Sequence, residues 1–313
     1  FFSILADESK DLAKIEQLSI AIRYLYNGNV HEEFLSVAEL SKLDAKSLSL
    51  KIINVLEKNK ITVENCIGQA YDGASVVSEK HASVNAIIKN TFAPLAFYTH
   101  CFNHRLNLVI VEVVKLTECV DECFSVLQKL YNFISCSTIH PLWVNTQKAA
   151  DLIVIELKPI SDMRWASQAV MLQIFCKRLP AIYAVLINVN NSNSHGSDRK
   201  LEAQSLLQCI SPEFVRLGLV LRKIFEYSKI VSDLLQSPKL DYSEALNLLK
   251  VLIENLQDLR YEVALQELWD EAHSICQEVG IGEAKTKRIR QMPKNLLIYL
   301  VESPVEKNEV DTL

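Results

Sequence analysis

The sequence predicts an α/β domain built on a mixed sheet, followed by a region made only of helices. Three observations predict it. Apolar residues alternate in the first forty positions, the period of half-buried strands; the period turns helical from Asp44; and past about Leu116 no strand pattern returns. Phe1–Ala6 is an apolar run ending at Asp7, a buried strand. Leu18, Ile20, Ile22, Tyr24 and Tyr26 mark a second, and Val30–Ala38 returns after Asn27-Gly28-Asn29, whose residues tolerate positive φ and suit a hairpin. Leu48, Ile52, Val55 and Leu56 share one face of a helix that ends near Asn59. Asn65–Tyr71 is a short strand that stops at Asp72-Gly73. Val84–Phe92 is helical until Pro94, Leu95–Thr99 is a last short strand, and a long helix then carries Leu106, Val109, Ile110, Val113 and Val114.

The order is therefore β-β-β-α-β-α-β-α. Short turns make the first three strands an antiparallel meander, and helical crossovers make the later ones parallel. That mixed order is the order of the ribonuclease-H-like fold, in which the first and fourth strands run side by side. Asp7 and Asp72 then stand at neighbouring strand ends. Farther on, Pro141, Pro159 and Pro180 are expected to punctuate the helices, and Asn188–Ser197 reads as a polar linker. Helical periods cover Glu213–Leu235, Ser243–Asp258 and Tyr261–Val279, and Gly280 reads as a terminator. The expected domains are a core over residues 1–165, its first strand at the extreme N-terminus, and an incomplete all-α region over 166–313. A chain that begins at Phe1 inside a strand is expected to lack something upstream, and the acidic stretch Glu302–Leu313 to fray.

Composition narrows the function. Seven glycines in 313 residues, none clustered after a strand, exclude a Walker-A loop and a G-x-G-x-x-G fingerprint. A net charge of −5 and a pI near 5.9 argue against a uniformly basic nucleic-acid coat, though not against a local patch. Eight cysteines in a chain of this length suit free thiols in a reducing compartment. No apolar run approaches the ~18 residues of a membrane span, so no membrane partner is expected.

Two carboxylates at one point repel unless a cation lies between them, and paired metal ions so held clamp the oxygens of a phosphoryl transfer. Asp7 and Asp72 fit that chemistry, and equally fit a strand end and an ordinary Asp-Gly turn. Cys101 and His104 have C-x-x-H spacing; Cys119 and Cys123 would complete a zinc site, or all four pack as structural residues. Arg164-Trp165 suits a phosphate contact and base stacking, or a packed indole beside a solvated cation. Lys285, Lys287, Arg288, Arg290 and Lys294 gather five positive charges in ten residues, suited to a nucleic-acid backbone, a nuclear address or a solvated surface. No G-x-S-x-G or H-E-x-x-H pattern occurs.

Taken in order, Phe1–Asp11 with Glu16–Ser19, Gly68–Ser75, His100–Leu108, Gln128–Phe133 and Ser161–Trp165 resemble the motif series of hAT-superfamily transposases, in the branch domesticated as zinc-finger MYM-type protein 1-like proteins. The resemblance is specific over residues 1–165 and loose beyond. It implies a ribonuclease-H-like core that cuts and joins DNA with an Asp-Asp-Glu triad and two Mg²⁺ ions. Asp7 and Asp72 fall on the two aspartates and would hold the metal; Cys101 and His104 support the site without binding zinc; Trp165, beside Arg164, falls on a tryptophan associated with the DNA end. The family's third acid lies in a later segment that also carries dimerisation helices, and no match to it occurs among residues 1–313; Glu112 is the nearest stand-in. Val76-Val77-Ser78-Glu79 also departs from the family's small polar stretch. The expectation is a degenerate or domesticated transposase fragment, nuclear and DNA- or chromatin-associated, that is catalytically dead by itself. A helical protein-interaction module on an inactive scaffold is the alternative. A stand-alone ribonuclease-H-type nuclease ranks last, since only Glu8 and Asp11 lie near the pair and Glu8 faces away from Asp7.

Overall fold

Three consecutive strands, β1 (Phe2–Lys10), β2 (Glu16–Tyr26) and β3 (Asn29–Glu39), form an antiparallel meander. The turn between β2 and β3 places Asn27 and Gly28 at φ 48° and 75°, the two positive angles that match strand twist in a two-residue hairpin. The computed structural model describes residues 1–10, 13–71, 83–161, 165–237 and 241–282.

Helix α1 (Ala45–Lys58) follows, its first turn capped by the Asp44 carboxylate, which accepts from Ser47 N at 3.0 Å. Strand β4 (Cys66–Tyr71) then lies parallel to β1, and β5 (Phe97–His100) parallel to β4, giving a mixed five-stranded sheet of order β3-β2-β1-β4-β5. Between β4 and β5, helix α2 (Val84–Ile87) runs into a π-helical turn over Ile88–Phe92 and stops before Pro94. Ile4, Leu18 and Ile20 point from the sheet into one buried cluster with Leu48, Ile52 and Leu56 of α1. Each such side chain contributes about 1.5–3 kcal/mol of burial, so alternation in the strands and a 3.6-residue stripe in α1 fix which sheet face is covered.

Among the described residues, everything after β5 that is regular is helical. Helix α3 (Phe102–Leu116) leads to α4 (Glu118–Ile134), α5 (His140–Ala149), α6 (Trp165–Asn191), α7 (Ser197–Cys209), α8 (Pro212–Leu235), α9 (Tyr242–Asp258) and α10 (Glu262–Val279). A second buried cluster runs from Val114 to Ile281 and includes Leu127, Phe133, Trp143, Phe175 and Leu179. Gly280 closes α10 in the left-handed conformation at φ 77°, as a terminator should.

Three sequence expectations are corrected. Pro180 lies inside α6 and does not break it: its neighbours Leu179, Ala181 and Ile182 are buried, and that packing outweighs the ~3 kcal/mol a helical proline costs. Helix α6 also runs through Asn188–Asn191, so the polar connection shortens to residues 192–196. Finally, α6 is long and apolar enough to cross a membrane by length and composition, although no continuous apolar run announced it. Over half of its apolar window is buried among the other helices, the pattern of a core helix.

Candidate functional site

The parallel ladder of β1 and β4 ends at the pair Ala6–Tyr71, and β5 ends beside them with His100 paired to Tyr71. Carboxyl ends of adjacent parallel strands are where open α/β sheets place their sites. Asp7 is the next residue of β1. It is exposed, its neighbour across the antiparallel ladder is Ser19, and Ser19 Oγ donates to the Asp7 carbonyl at 3.0 Å. Glu8 lines a crevice with Leu18, Leu48, Ile52 and Tyr71, on the side covered by α1. Alternation therefore directs Asp7 to the opposite side, as expected. Asp72, Asp11, Arg164 and the basic cluster Lys285–Lys294 lie outside the described residues.

Cys101 caps α3, and its N–H donates to the Tyr71 carbonyl at 3.4 Å, fastening the helix start to the end of β4. His104, one turn in, stacks on His100 with ring centroids 5.6 Å apart. Tyr98 lies 6.2 Å from His100 and 6.1 Å from Tyr71, so four rings step from the sheet into the helix. The Tyr71 hydroxyl donates to Gln69 Oε1 at 3.1 Å, and burial pushes its phenol well above the ordinary range, leaving it a neutral donor.

Cys119 is exposed, whereas Cys123 is buried and its thiol is pushed up to about 12 by desolvation. Among the described residues no three of His, Cys, Asp and Glu gather where they could hold a metal ion. Mg²⁺ needs carboxylate oxygens converging on one point, and at these strand ends alternation turns the Asp7 and Glu8 carboxylates to opposite faces, with no third ligand among the described residues beside either. By themselves they do not fit the ion. Glu112 is exposed on α3 and belongs to no such group.

Trp165 is 3% exposed and packs edge-on against Phe225 at 5.6 Å, so its indole is a core side chain in this conformation. Its backbone N–H donates to Asn107 Oδ1 at 3.3 Å, while Ser232 Oγ donates to Asn103 Oδ1 at 2.6 Å. Two asparagines four apart on α3 thus tie it to the start of α6 and the end of α8. The sequence named both within a motif without giving them a role; their i, i+4 spacing, which sets two amides on one face of the helix, was the available signal.

His100 is another residue that the sequence named within that motif without a role. Its Nε2 is buried without a hydrogen-bond partner, and burial, helped by the nearby His104 and Arg105 charges, holds the imidazole below its ordinary value of 6.5. A base that binds its proton less well when folded contributes stability fully present above the unfolded value and lost as pH falls through the folded one. Stability should therefore drop between pH 7 and 5, and His100→Phe should lessen that drop. Urea midpoints at the two pH values measure it; equal drops in both proteins would contradict the assignment.

Residues 1–82 match the family model described as the ZMYM1/FAM200 RNase-like domain. The chain is 23% identical over 297 residues to the human (Homo sapiens) "52 kDa repressor of the inhibitor of the protein kinase", covering 90% of this chain and 38% of that protein. The mouse (Mus musculus) protein of the same name is 24% identical over 298 residues, with the same coverage. The chain thus spans well under half the length of these curated relatives. Its likeness is to the domesticated hAT-like branch that the ordered motifs pointed to.

Proposed function

We propose that residues 1–313 form the ribonuclease-H-like core and adjoining helical region of a domesticated hAT-type transposase, nuclear and associated with DNA or chromatin, that does not cut DNA by itself. The observation that carries this reading is the parallel pairing of β1 and β4, which brings Asp7 to the strand ends within a stretch that matches an RNase-like family. The strand order β3-β2-β1-β4-β5 supports the finer assignment of a ribonuclease-H-like topology over residues 1–165, with the helices from α6 onward as its insertion. A regulatory role accords with the relatives' description as repressors.

Asp7 and Asp72 would be the metal-facing acids, with Cys101 and His104 bracing the end of β4. Mg²⁺, when bound, would supply charge stabilisation for a phosphoryl transfer. The chain's own contribution is the exposed Asp7 carboxylate and a helix start fixed to Tyr71. Losing a third carboxylate removes several kcal/mol of transition-state stabilisation. Incubated with hAT terminal inverted repeats and Mg²⁺ or Mn²⁺, the chain should leave the DNA intact. Nicking that disappears in Asp7→Ala would overturn the reading of an incomplete site.

A second reading, a helical protein-interaction module on an inactive scaffold, draws on the burial of Trp165, which takes that indole out of reach of a base. It predicts that Asp7→Asn changes neither partner binding nor Mn²⁺ affinity, whereas the first reading predicts weakened Mn²⁺ binding in a calorimetric titration.

A further inference from the structure

The turn that ends α10 is held in place. Ile281, next to the left-handed Gly280, is buried and donates its N–H to the Cys276 carbonyl at 2.9 Å, so the backbone after α10 is tied back onto that helix. Ile281 also lines a crevice of about 180 Å³ between the start of α8 and the end of α10. Pro212 and Arg216 form its α8 wall, and Ala272, His273, Cys276 and Gln277 its α10 wall.

The crevice is apolar at its base and cationic at its rim. Ala272, Cys276 and Ile281 are buried, and burial pushes the Cys276 thiol up, so it stays neutral. Arg216 is half-buried, and among the described residues no hydrogen bond or ion pair engages its guanidinium. The acid nearest to it along α8, Glu213, is taken up by the helix cap: the Ser211 hydroxyl donates to that carboxylate and holds it below its usual range. His273 stands exposed at the rim, and Gln277 Nε2 donates to its Nε2 at 2.8 Å, which steadies the ring. The first turn of the 24-residue helix α8, with its partial positive charge, opens on the same space. A guanidinium backed by apolar side chains is screened less than one in open water, which strengthens its pull on an anion.

Position joins this crevice to the densest cations of the sequence. Lys285, Lys287, Arg288, Arg290 and Lys294 lie outside the described residues, but Lys285 follows Gly282 by three positions. Three residues span at most about 11 Å, so covalent connection alone keeps the first of these cations near the crevice. A DNA duplex carries one phosphate charge per ~1.7 Å of its axis, and one short stretch of backbone therefore reaches both.

We infer that the crevice is an anchoring point for a backbone phosphate of DNA, with the Arg216 fork donating to its oxygens and His273 beside it at the rim. The inference rests on the reading of the chain as DNA-associated and adds to it a contact on helices α8 and α10. A guanidinium fork matches two phosphate oxygens at once. Such a contact carries no sequence information, so it fixes where the duplex lies without selecting its bases.

Fluorescence anisotropy of a labelled duplex titrated with residues 1–313 across a range of salt tests this. Arg216→Ala should make the slope of log K against log salt shallower by about 0.9 and weaken binding roughly eightfold at about 0.1 M salt, the share of one neutralised phosphate. Arg216→Lys, which keeps the charge, should keep the slope, and Lys46→Ala, which removes an exposed cation on α1, should change neither quantity. Circular dichroism checks that the variants fold. Should Arg216→Ala not fold, hydrogen exchange of the unaltered chain serves instead, with the first-turn amides of α8 exchanging more slowly once DNA is added. Saturable binding whose affinity and slope Arg216→Ala leaves unchanged, or exchange in α8 that DNA does not alter, overturns the anchoring point alone. No saturable binding by the unaltered chain overturns the DNA reading and the anchoring point with it. Inorganic phosphate that binds with a dissociation constant below about 1 mM in calorimetry, and loses that binding in Arg216→Ala, would place free phosphate in the crevice instead of DNA and also overturns the inference.

Discussion

Trp143→Ala should lower the stability of the helical region by about 3–5 kcal/mol, the usual cost of emptying a buried aromatic site. Trp143 is fully buried in α5 among the side chains of the second cluster, and its indole N–H donates to the Ile155 carbonyl at 3.1 Å. Truncation therefore removes both packing and a hydrogen bond that pins the extended stretch after α5. Because Gln147 Nε2 also reaches that carbonyl, at 3.3 Å, the acceptor is not orphaned and packing dominates the loss. Trp143→Phe keeps most of the ring and should cost about 1–2 kcal/mol, the share of the lost hydrogen bond and a smaller void. Urea unfolding of the three proteins separates the two contributions. Equal costs for Ala and Phe would mean that the hydrogen bond outweighs the packing.

Arg178→Ala should be nearly as severe, about 2–4 kcal/mol, for a different reason. This guanidinium is 6% exposed on α6, and among the described residues no carboxylate pairs with it. It is satisfied instead by neutral acceptors: Nε donates to Gln147 Oε1 at 3.2 Å and Nη2 to the Ile153 carbonyl at 2.9 Å. Gln147 Oε1 also accepts from Ile155 N at 3.0 Å, so one amide oxygen joins α5, α6 and the stretch between them. Removing the arginine leaves buried acceptors short of a donor and opens a void. Arg178→Lys should not rescue, because a single ammonium cannot reproduce two donors in a fork. Since Gln147 and Arg178 share one network, Gln147→Ala combined with Arg178→Ala should cost less than the sum of the two by about 0.5–3 kcal/mol. Strict additivity would show that the two side chains act independently.

Much of the sheet was legible in the sequence because its signals are local. Alternation over Leu18–Tyr26 and the Asn-Gly turn specify a hairpin through neighbours one or two residues apart, and the structure places both accordingly. The stripe Leu48, Ile52 and Leu56 and the change of period at Asp44 are likewise short-range, as is the terminator at Gly280. Pro180 was misleading because its local cost is repaid by partners on other helices that no window of sequence contains. The same holds for Trp165, whose ring partner Phe225 lies sixty residues on, and for Arg178 with Gln147, thirty-one residues apart. At the candidate site, the exposed side of β1 on which Asp7 stands follows from alternation alone. The unpartnered Nε2 of His100 depends on what packs over the end of β5, and no residue spacing reveals that.

DNA association is the central claim, and it yields most directly to fluorescence anisotropy of a labelled duplex titrated with residues 1–313 at several salt concentrations. A chain with net charge −5 can bind a phosphate backbone only through a local concentration of cations, and the five among Lys285, Lys287, Arg288, Arg290 and Lys294 are the densest in the sequence. Each neutralised phosphate contributes about −0.9 to the slope of log K against log salt, so a slope between about −3 and −4.5 is predicted. Replacing those five residues by alanine should bring the slope close to zero. The account is contradicted by an absence of saturable binding at about 50 mM salt, well below physiological strength, or by a slope that the alanine substitutions leave unchanged.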